Sequence, residues 1–155
     1  MRWLIIILLF PFSSETQVQY QSDVRTSKKI VDTSAVRINQ SHSKVLAIFQ
    51  SIEYGIRTSK VEEFDKELGS IVSITIGVSE RGYFSMNQAA SVLSGYFSGR
   101  RAISFEFSRI HEKGTAPYAT GRLVYAQKGN QESVQVYVSL TKKGPRWVIS
   151  QFNIY

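Results

Sequence analysis

Regular alternation between apolar and polar residues near the C-terminus is the feature that most constrains this fold. Over residues 132–141, valine or leucine occupies every second position from Val134 to Leu140, and polar residues or tyrosine fill the positions between. Short glycine-containing turns at residues 128–130 and 142–145 bound this run. Because neighbouring side chains of a strand point to opposite faces, the pattern predicts antiparallel hairpins with one buried face.

Helical patterns lie upstream of these strands. Apolar residues at helical spacing form one stripe over residues 45–56, and Ser41 or Ser43 can cap the start of this helix. A capping box at Ser59–Glu62 predicts a second helix, which is expected to end at Gly69. The first helix is therefore expected to pass directly into the second.

A buried strand and a third helix are predicted next. Isoleucine or valine occupies every second position from Val72 to Val78, which predicts a strand over residues 70–78. A turn is expected over residues 79–82. Ser85 with Gln88 then forms a capping box before a helix that is expected to end at Gly99. The fold class is therefore α+β, with N-terminal helices packed on a curved antiparallel sheet in the order helix, helix, strand, helix and four-strand meander. The strands of this meander are expected over residues 103–110, 118–127, 132–141 and 146–155.

The first residues have the pattern of a signal peptide. Arg2 precedes an unbroken apolar run over residues 3–12, and polar residues follow it. A transmembrane anchor is the alternative, but the run is about half as long as the ~20 residues that a bilayer requires. We therefore expect a signal peptide over residues 1–16, with its cleavage position left open, a flexible lead-in over residues 17–42 and a single domain over residues 43–155. The expected localisation is periplasmic or extracellular, with no stable membrane span after cleavage.

Composition narrows the chemistry of the chain. Its 155 residues include no cysteine, which excludes disulfides, thiolate metal sites and cysteine nucleophiles. The formal net charge of +7 and the isoelectric point near 9.7 favour anionic partners, such as a membrane surface or an acidic polysaccharide. Because export would separate the protein from intracellular nucleic acid, no nucleic-acid partner is expected.

Four segments carry a family resemblance. They are GIRTSKVEEFDKEL after the first helix, SIVSITIGV as the buried strand, SMNQAASVLSGYF as the later helix and RWVISQFNIY as the closing strand. In this order, over residues 43–155, the chain resembles the nuclear transport factor 2-like superfamily, which has a cystatin-like, cone-shaped fold. More narrowly, it looks like a branch of exported bacterial domains of unknown function. Because the superfamily includes isomerases, dehydratases, binding modules and assembly factors, the resemblance leaves the activity open.

The residues that could carry acid–base chemistry do not form a recognisable pair. His42 precedes the first helix, His111 lies at a strand end, and neither has a carboxylate at a spacing that suggests a pair. Alternation turns Glu106 away from the apolar face of its strand, and Glu53 is expected to be a solvated surface residue. The histidines and carboxylates show no metal-ligand spacing. We therefore predict no catalytic residue, no metal and no cofactor.

Two groups of residues are candidates for binding instead. Aromatic residues are expected around the open end of the cone, where they would form an apolar pocket, although core packing is the alternative. Basic residues are expected together at one end of the sheet because successive hairpin turns alternate between its ends; ordinary solvated turns are the alternative. The pocket candidates are Tyr83, Tyr96, Phe97, Phe105, Phe107 and Tyr125, and the anion-binding candidates are His111, Lys113, Lys142, Lys143 and Arg146.

These features rank three hypotheses of function. The first is a non-catalytic binding or interaction module of the bacterial envelope, which uses the apolar pocket or the polar sheet face around Tyr137. A small apolar ligand, an envelope protein or a second copy docked through the sheet would then be its partner. The second is a small-molecule enzyme of the isomerase or dehydratase type. The third is an adaptor that docks on anionic envelope material through its basic rim.

Overall fold

The computed structural model of the chain describes residues 40–155, and the predicted signal peptide and all but the end of the predicted lead-in lie outside them. Helix α1 covers residues 40–58, so the helix already includes the last residues of the predicted lead-in. Two short 3-10 turns follow it at Val61–Glu63 and Asp65–Glu67. The remaining elements are β1 (Leu68–Ile76), β2 (Glu80–Ser85), α2 (Met86–Ser98), β3 (Arg101–His111), β4 (Tyr118–Gln127), β5 (Asn130–Lys143) and β6 (Arg146–Ile154).

The six strands form one sheet in the order β2-β1-β6-β5-β4-β3. Four of the five neighbouring pairs are antiparallel, as predicted, but β1 and β6 run parallel. The sheet is therefore mixed, with one parallel pair in addition to the predicted antiparallel pairs. The parallel pair joins the β1–β2 hairpin to the β3–β6 meander, and such a pairing of distant segments leaves no local pattern in the sequence.

The predicted second helix is replaced by the two 3-10 turns. Helix α1 ends where Ser59 adopts a positive φ of 56°, and the Lys60 amide donates to the Gly55 carbonyl oxygen across 2.8 Å. Val61 and Phe64 are buried three residues apart, a spacing that satisfies a 3-10 turn as well as an α-helix. The chain then enters β1 at Leu68, which the sequence analysis had placed in the helix.

Strand β2 was missed because its residues resemble a turn. The reversal lies at residues 77–79, where Gly77 has a positive φ of 51°. Residues 80–85 then pair with β1 without interruption, from Ile76 opposite Glu80 to Ile71 opposite Ser85. Ser85 is the N-cap of α2 in the predicted capping box with Gln88, and Gly99 ends this helix as expected.

The two helices pack on one face of the curved sheet, which we call the inner face, and this confirms the predicted α+β architecture. Apolar residues of α1 and α2 are buried against those of the strands in one core. The Phe152 ring of the central strand β6 stacks on Phe64 at a centroid distance of 6.0 Å and meets Phe97 edge-on at 6.4 Å. This single strand residue therefore contacts both the 3-10 segment and α2.

Candidate functional site

The predicted aromatic pocket is largely filled by packing. Phe97 and Phe105 are buried in the core, and the Phe107 ring lies 5.0 Å from Phe105 and 5.7 Å from Phe49 of α1 in edge-on contacts. Tyr83 is 82% exposed and lies on end strand β2, so its placement in a pocket was wrong. Phe97, Phe105 and Phe107 therefore act mainly as core residues, which was the alternative interpretation.

Tyr96 and Tyr125 form a separate cluster with Arg100 at the end of α2. The Arg100 guanidinium carbon lies 3.9 Å from the Tyr96 ring centroid and 5.5 Å from that of Tyr125. Arg100 also donates to the Tyr96 carbonyl oxygen at 2.7 Å, and the Tyr125 hydroxyl donates to Glu132 at 2.8 Å. Burial raises the pKa of Tyr96 to about 12, although the positive charge of Arg100 opposes this shift. The cluster thus places one cation between two aromatic rings beside the core.

An open cleft of about 490 Å³ lies between α1 and the end of the sheet that is formed by β3 and β4. Glu53 lines it, and a carboxylate oxygen of this residue accepts a hydrogen bond of 3.1 Å from the Phe107 backbone N–H. The expectation that Glu53 is a solvated surface residue was therefore wrong, because its carboxylate is partly buried in this contact. No pattern in the sequence indicated the contact, because the two residues lie 54 positions apart. The other lining residues are Arg57, Ile103, Ser104, Phe105, Glu106, Ser108, Arg122 and Val124.

Ile103 reaches the cleft through a β-bulge. The pairing of β3 with β4 shifts between Ala102 and Ser104, and this shift interrupts the predicted alternation of Ile103 with Phe105. Ile103 is consequently half exposed, while Phe105 is buried. The sequence contains no proline or glycine at this position that would have indicated the bulge.

The opposite face of the sheet, which we call the outer face, carries two cross-strand rows of side chains. The strand registers align one row across the whole sheet as Arg109, Thr120, Tyr137, Asn153, Thr75 and Arg81. The second row is His111, Tyr118, Ser139, Gln151, Ser73 and Tyr83. Over the four central strands neither row contains a charged residue.

Aromatic stacking covers one part of this outer face. The His111 ring stacks on Tyr118 at 5.2 Å, and Tyr118 stacks on Tyr137 at 5.8 Å. Beside them, Ser139 and Asn153 are buried, and the Asn153 side-chain amide donates to the Tyr155 hydroxyl at 2.8 Å. His111 therefore belongs to an aromatic surface on the outer face.

The remaining anion-binding candidates lie on exposed turns. Leu140 donates to the Pro117 carbonyl oxygen at 2.8 Å, so the end of the β3–β4 loop, which contains Lys113, lies beside β5. Lys142, Lys143 and Arg146 are exposed at the β5–β6 turn. Arg146 is engaged there by the Lys66 carbonyl oxygen at 2.9 Å and by Glu67 at 3.9 Å.

A groove of about 310 Å³ at this turn includes residues that the sequence analysis did not single out. Trp147 and Lys44 line it, and the indole N–H of Trp147 donates to the Ser41 hydroxyl at 3.1 Å. The Lys142 ammonium lies 5.9 Å from the Trp147 ring. Helix α1 thus brings another lysine to the basic turn, which only the tertiary structure could indicate.

Residues 40–155 contain neither a metal-binding cluster nor a membrane-spanning helix. No cluster of histidine, aspartate and glutamate residues in this part of the chain has the arrangement of a metal site. Within the same residues, no helix has both the length and the hydropathy of a membrane-spanning segment.

Comparison with solved structures gives the fold a context. A DUF4783 family protein from Bacteroides uniformis superposes with a TM-score of 0.61 at 19% identity, covering 68% of this chain and 93% of that one. Rd1NTF2_04 with long sheet gives 0.58 at 13% identity and covers 72% and 99% of the two chains. A putative SnoaL-like polyketide cyclase from Jannaschia gives 0.57 at 10% identity and covers 73% and 85%. At these identities the similarity concerns the fold, and it confirms the predicted nuclear transport factor 2-like architecture.

Comparison at the level of sequence identifies the family. No curated protein matches the chain. The sequence profile described as "Domain of unknown function (DUF4783)" matches residues 49–155, which include the second half of α1 and all of the sheet. The chain therefore belongs to the DUF4783 family, whose members are domains of unknown function.

Proposed function

We propose that this protein is a non-catalytic interaction module of the bacterial envelope and that its outer sheet face binds a partner protein. The observation that carries the proposal is the absence of charge from both rows over the four central strands. Lysine and arginine are plentiful in the chain, which carries a net charge of +7, yet the basic residues that belong to these rows, Arg81 and Arg109, lie on end strands β2 and β3. The centres of protein interfaces are likewise depleted of charge and enriched in tyrosine.

The state of the inner face supports the same proposal. Two of the predicted pocket residues, Phe97 and Phe105, are packed in the core, which favours the outer face as the surface for recognition. Tyr118 and Tyr137 present stacked rings there, and such rings supply a large contact area with few rotatable bonds. The expected signal peptide would deliver this surface to the envelope.

Site-specific photo-cross-linking tests the proposal. We expect a photoreactive amino acid at Tyr137 to capture one defined envelope protein, which mass spectrometry identifies, whereas the same group at Tyr54 of α1 captures none. Tyr54 is a matched control because it is an exposed tyrosine on a helix. Tyr118→Glu should abolish the capture at position 137. The same captured proteins at both positions, or capture that survives Tyr118→Glu, would contradict the proposal.

Docking on anionic envelope material is a second candidate, favoured by the basic β5–β6 turn. Lys142 and Lys143 are exposed there, and Lys44 lines the adjacent groove. Retention on an anionic matrix should fall with salt and with the double change Lys142→Glu and Lys143→Glu. Lys128→Glu, an exposed lysine in the β4–β5 turn, is the matched control. Equal losses in the double variant and the control would reject this candidate.

An isomerase or dehydratase is a third candidate, favoured by the Glu53 carboxylate in its cleft. Its second oxygen would be the group available to a bound substrate. A fragment screen observed by nuclear magnetic resonance should then show shifts at Glu53 and Ser104 that disappear in Glu53→Gln. A screen in which no fragment perturbs these two residues would remove this candidate.

A further inference from the structure

The two end strands of the sheet are protected very differently. Strand β3 has register shifts near Ala102 and Phe107, and Glu53 of α1 accepts the Phe107 backbone N–H. Bulges and covered backbone groups of this kind prevent an end strand from pairing with another chain. Among residues 40–155, strand β2 has fewer of these features: its pairing with β1 is unbroken, it contains neither proline nor lysine, and a side chain, that of Gln88, accepts a backbone N–H only at its last residue, Ser85.

Strongly exposed apolar side chains lie on and beside β2. Tyr83 is 82% exposed and Ile71 is 57% exposed, and their strand positions place both on the outer face. Val78, in the adjoining turn, is fully exposed. An unprotected end strand with exposed apolar residues is typical of a surface that pairs with another strand.

We propose that β2 pairs antiparallel with β2 of a second copy of this chain, which joins the two sheets into one. A two-fold axis perpendicular to the sheet keeps the outer faces of both copies on the same side. Each outer-face residue of one β2 strand therefore lies opposite an outer-face residue of the other. Centred on Tyr83, this register sets Tyr83 against its own copy, Gly82 against Phe84 and Arg81 against Ser85.

This register is self-complementary. Opposed aromatic residues such as the two copies of Tyr83 are a favourable cross-strand pair. The two charged residues of the strand oppose no residue of like charge, because Arg81 faces Ser85 and Glu80 lies just beyond the end of the other copy's strand, where α2 begins. A second copy is therefore the occupant that this edge fits.

The inference goes beyond the interaction proposed for the outer face. Pairing at the edge leaves Tyr118 and Tyr137 free and brings the outer faces of both copies side by side. It also differs from the sheet-face dimer considered in the sequence analysis, because backbone hydrogen bonds, rather than packing of the faces, would hold the copies together.

Single cysteines test the register, because the chain contains none of its own. After mild oxidation of the full chain, Tyr83→Cys should form a covalent dimer on a non-reducing gel. In Arg81→Cys the two cysteines would lie four residues apart along the strand, roughly 13 Å at ~3.3 Å per residue, which is too far for a disulfide. Ser104→Cys on β3 and Tyr137→Cys on the outer face should remain monomeric on the gel. Dominant cross-linking at either of these two positions would overturn the proposal.

Sedimentation equilibrium provides the second readout. The wild-type chain should dimerise, and Tyr83→Lys, which sets two ammonium groups against each other, should raise the dissociation constant at least tenfold. Tyr54→Lys, at an exposed tyrosine of α1, should leave the constant unchanged. A wild-type chain that stays monomeric at high protein concentration, or a Tyr83→Lys chain that dimerises normally, would overturn the proposal.

Discussion

Tyr96 is a partly buried tyrosine whose proton equilibrium reflects the cluster around Arg100. Burial raises its pKa to about 12 from an ordinary value of 10.0. Between these pH values the folded state keeps the Tyr96 proton, whereas the unfolded state has released it. Because the unfolded state then binds fewer protons, the free energy of unfolding must fall as pH rises through this window.

The prediction is that Tyr96→Phe makes this fall in stability less steep. Phenylalanine keeps the ring under Arg100 but has no proton to release. Urea denaturation of both proteins at several pH values between 9 and 12 measures the slopes, with their stability difference at neutral pH as the baseline. Equal slopes for the two proteins would show that burial of Tyr96 does not govern this pH dependence.

Glu53 is a second residue whose role depends on a contact with a distant part of the chain. Its carboxylate is the acceptor for the Phe107 backbone N–H at the β3 edge. We expect Glu53→Ala to lower the free energy of unfolding by about 1–2 kcal/mol, because a half-buried N–H would lose its acceptor. Glu53→Gln, which keeps an acceptor, should retain most of the stability, and Glu63→Ala at an exposed site is the control. If Glu53→Ala proves as stable as Glu63→Ala, the contact contributes nothing.

At the scale of elements, the junction of α1 with the 3-10 turns depends on a missing side chain. A Cβ on Gly55 would lie 2.6 Å from the Phe64 ring and 2.7 Å from the Lys60 carbonyl oxygen. Ala at this position should therefore destabilise the fold by about 1–3 kcal/mol through overpacking. The backbone carbonyl cannot move away without disrupting the turn that ends α1.

Gly95 in α2 is the matched control for this prediction. A Cβ there meets no atom within 4 Å, so Gly95→Ala should stabilise the fold by about 0.5–1 kcal/mol through the helix propensity of alanine. Chemical denaturation of both variants measures the two changes. Changes of the same sign would contradict the packing described for Gly55.

At the scale of the whole molecule, β6 connects two parts of the sheet that are distant in sequence. Its residue Phe152 stacks with Phe64 and meets Phe97, so one ring links the 3-10 segment, α2 and the sheet. We expect Phe152→Ala to lower the free energy of unfolding by about 3–5 kcal/mol while residues 40–155 still unfold in one transition. Tyr54→Ala, at an exposed position, is the control. Two separate transitions in the wild-type chain would show that the hairpin and the meander fold independently.

Local periodicity explains what could be predicted from the sequence. The stripe of α1, the capping box of α2 and the alternation of β5 are set by residues within a few positions of one another, so their patterns indicate the elements directly. They also sufficed to predict the α+β class, whereas the nuclear transport factor 2-like fold was expected from the resemblance of four segments to that superfamily. The basic turn at Lys142 and Lys143 was visible for the same reason.

Tertiary structure decided what depends on distant residues. Three features join segments that no local pattern in the sequence relates. They are the parallel pairing of β1 with β6, the hydrogen bond from the Phe107 N–H to Glu53, and the cross-strand rows of the outer face. Strand β2 and the 3-10 turns were missed because short segments adopt the conformation that their neighbours permit. The sequence by itself therefore determined which residues are apolar and with what spacing they recur along the chain. Only the packed sheet decided which edge is protected and which rows of the outer face carry no charge over the central strands, because both depend on register between strands.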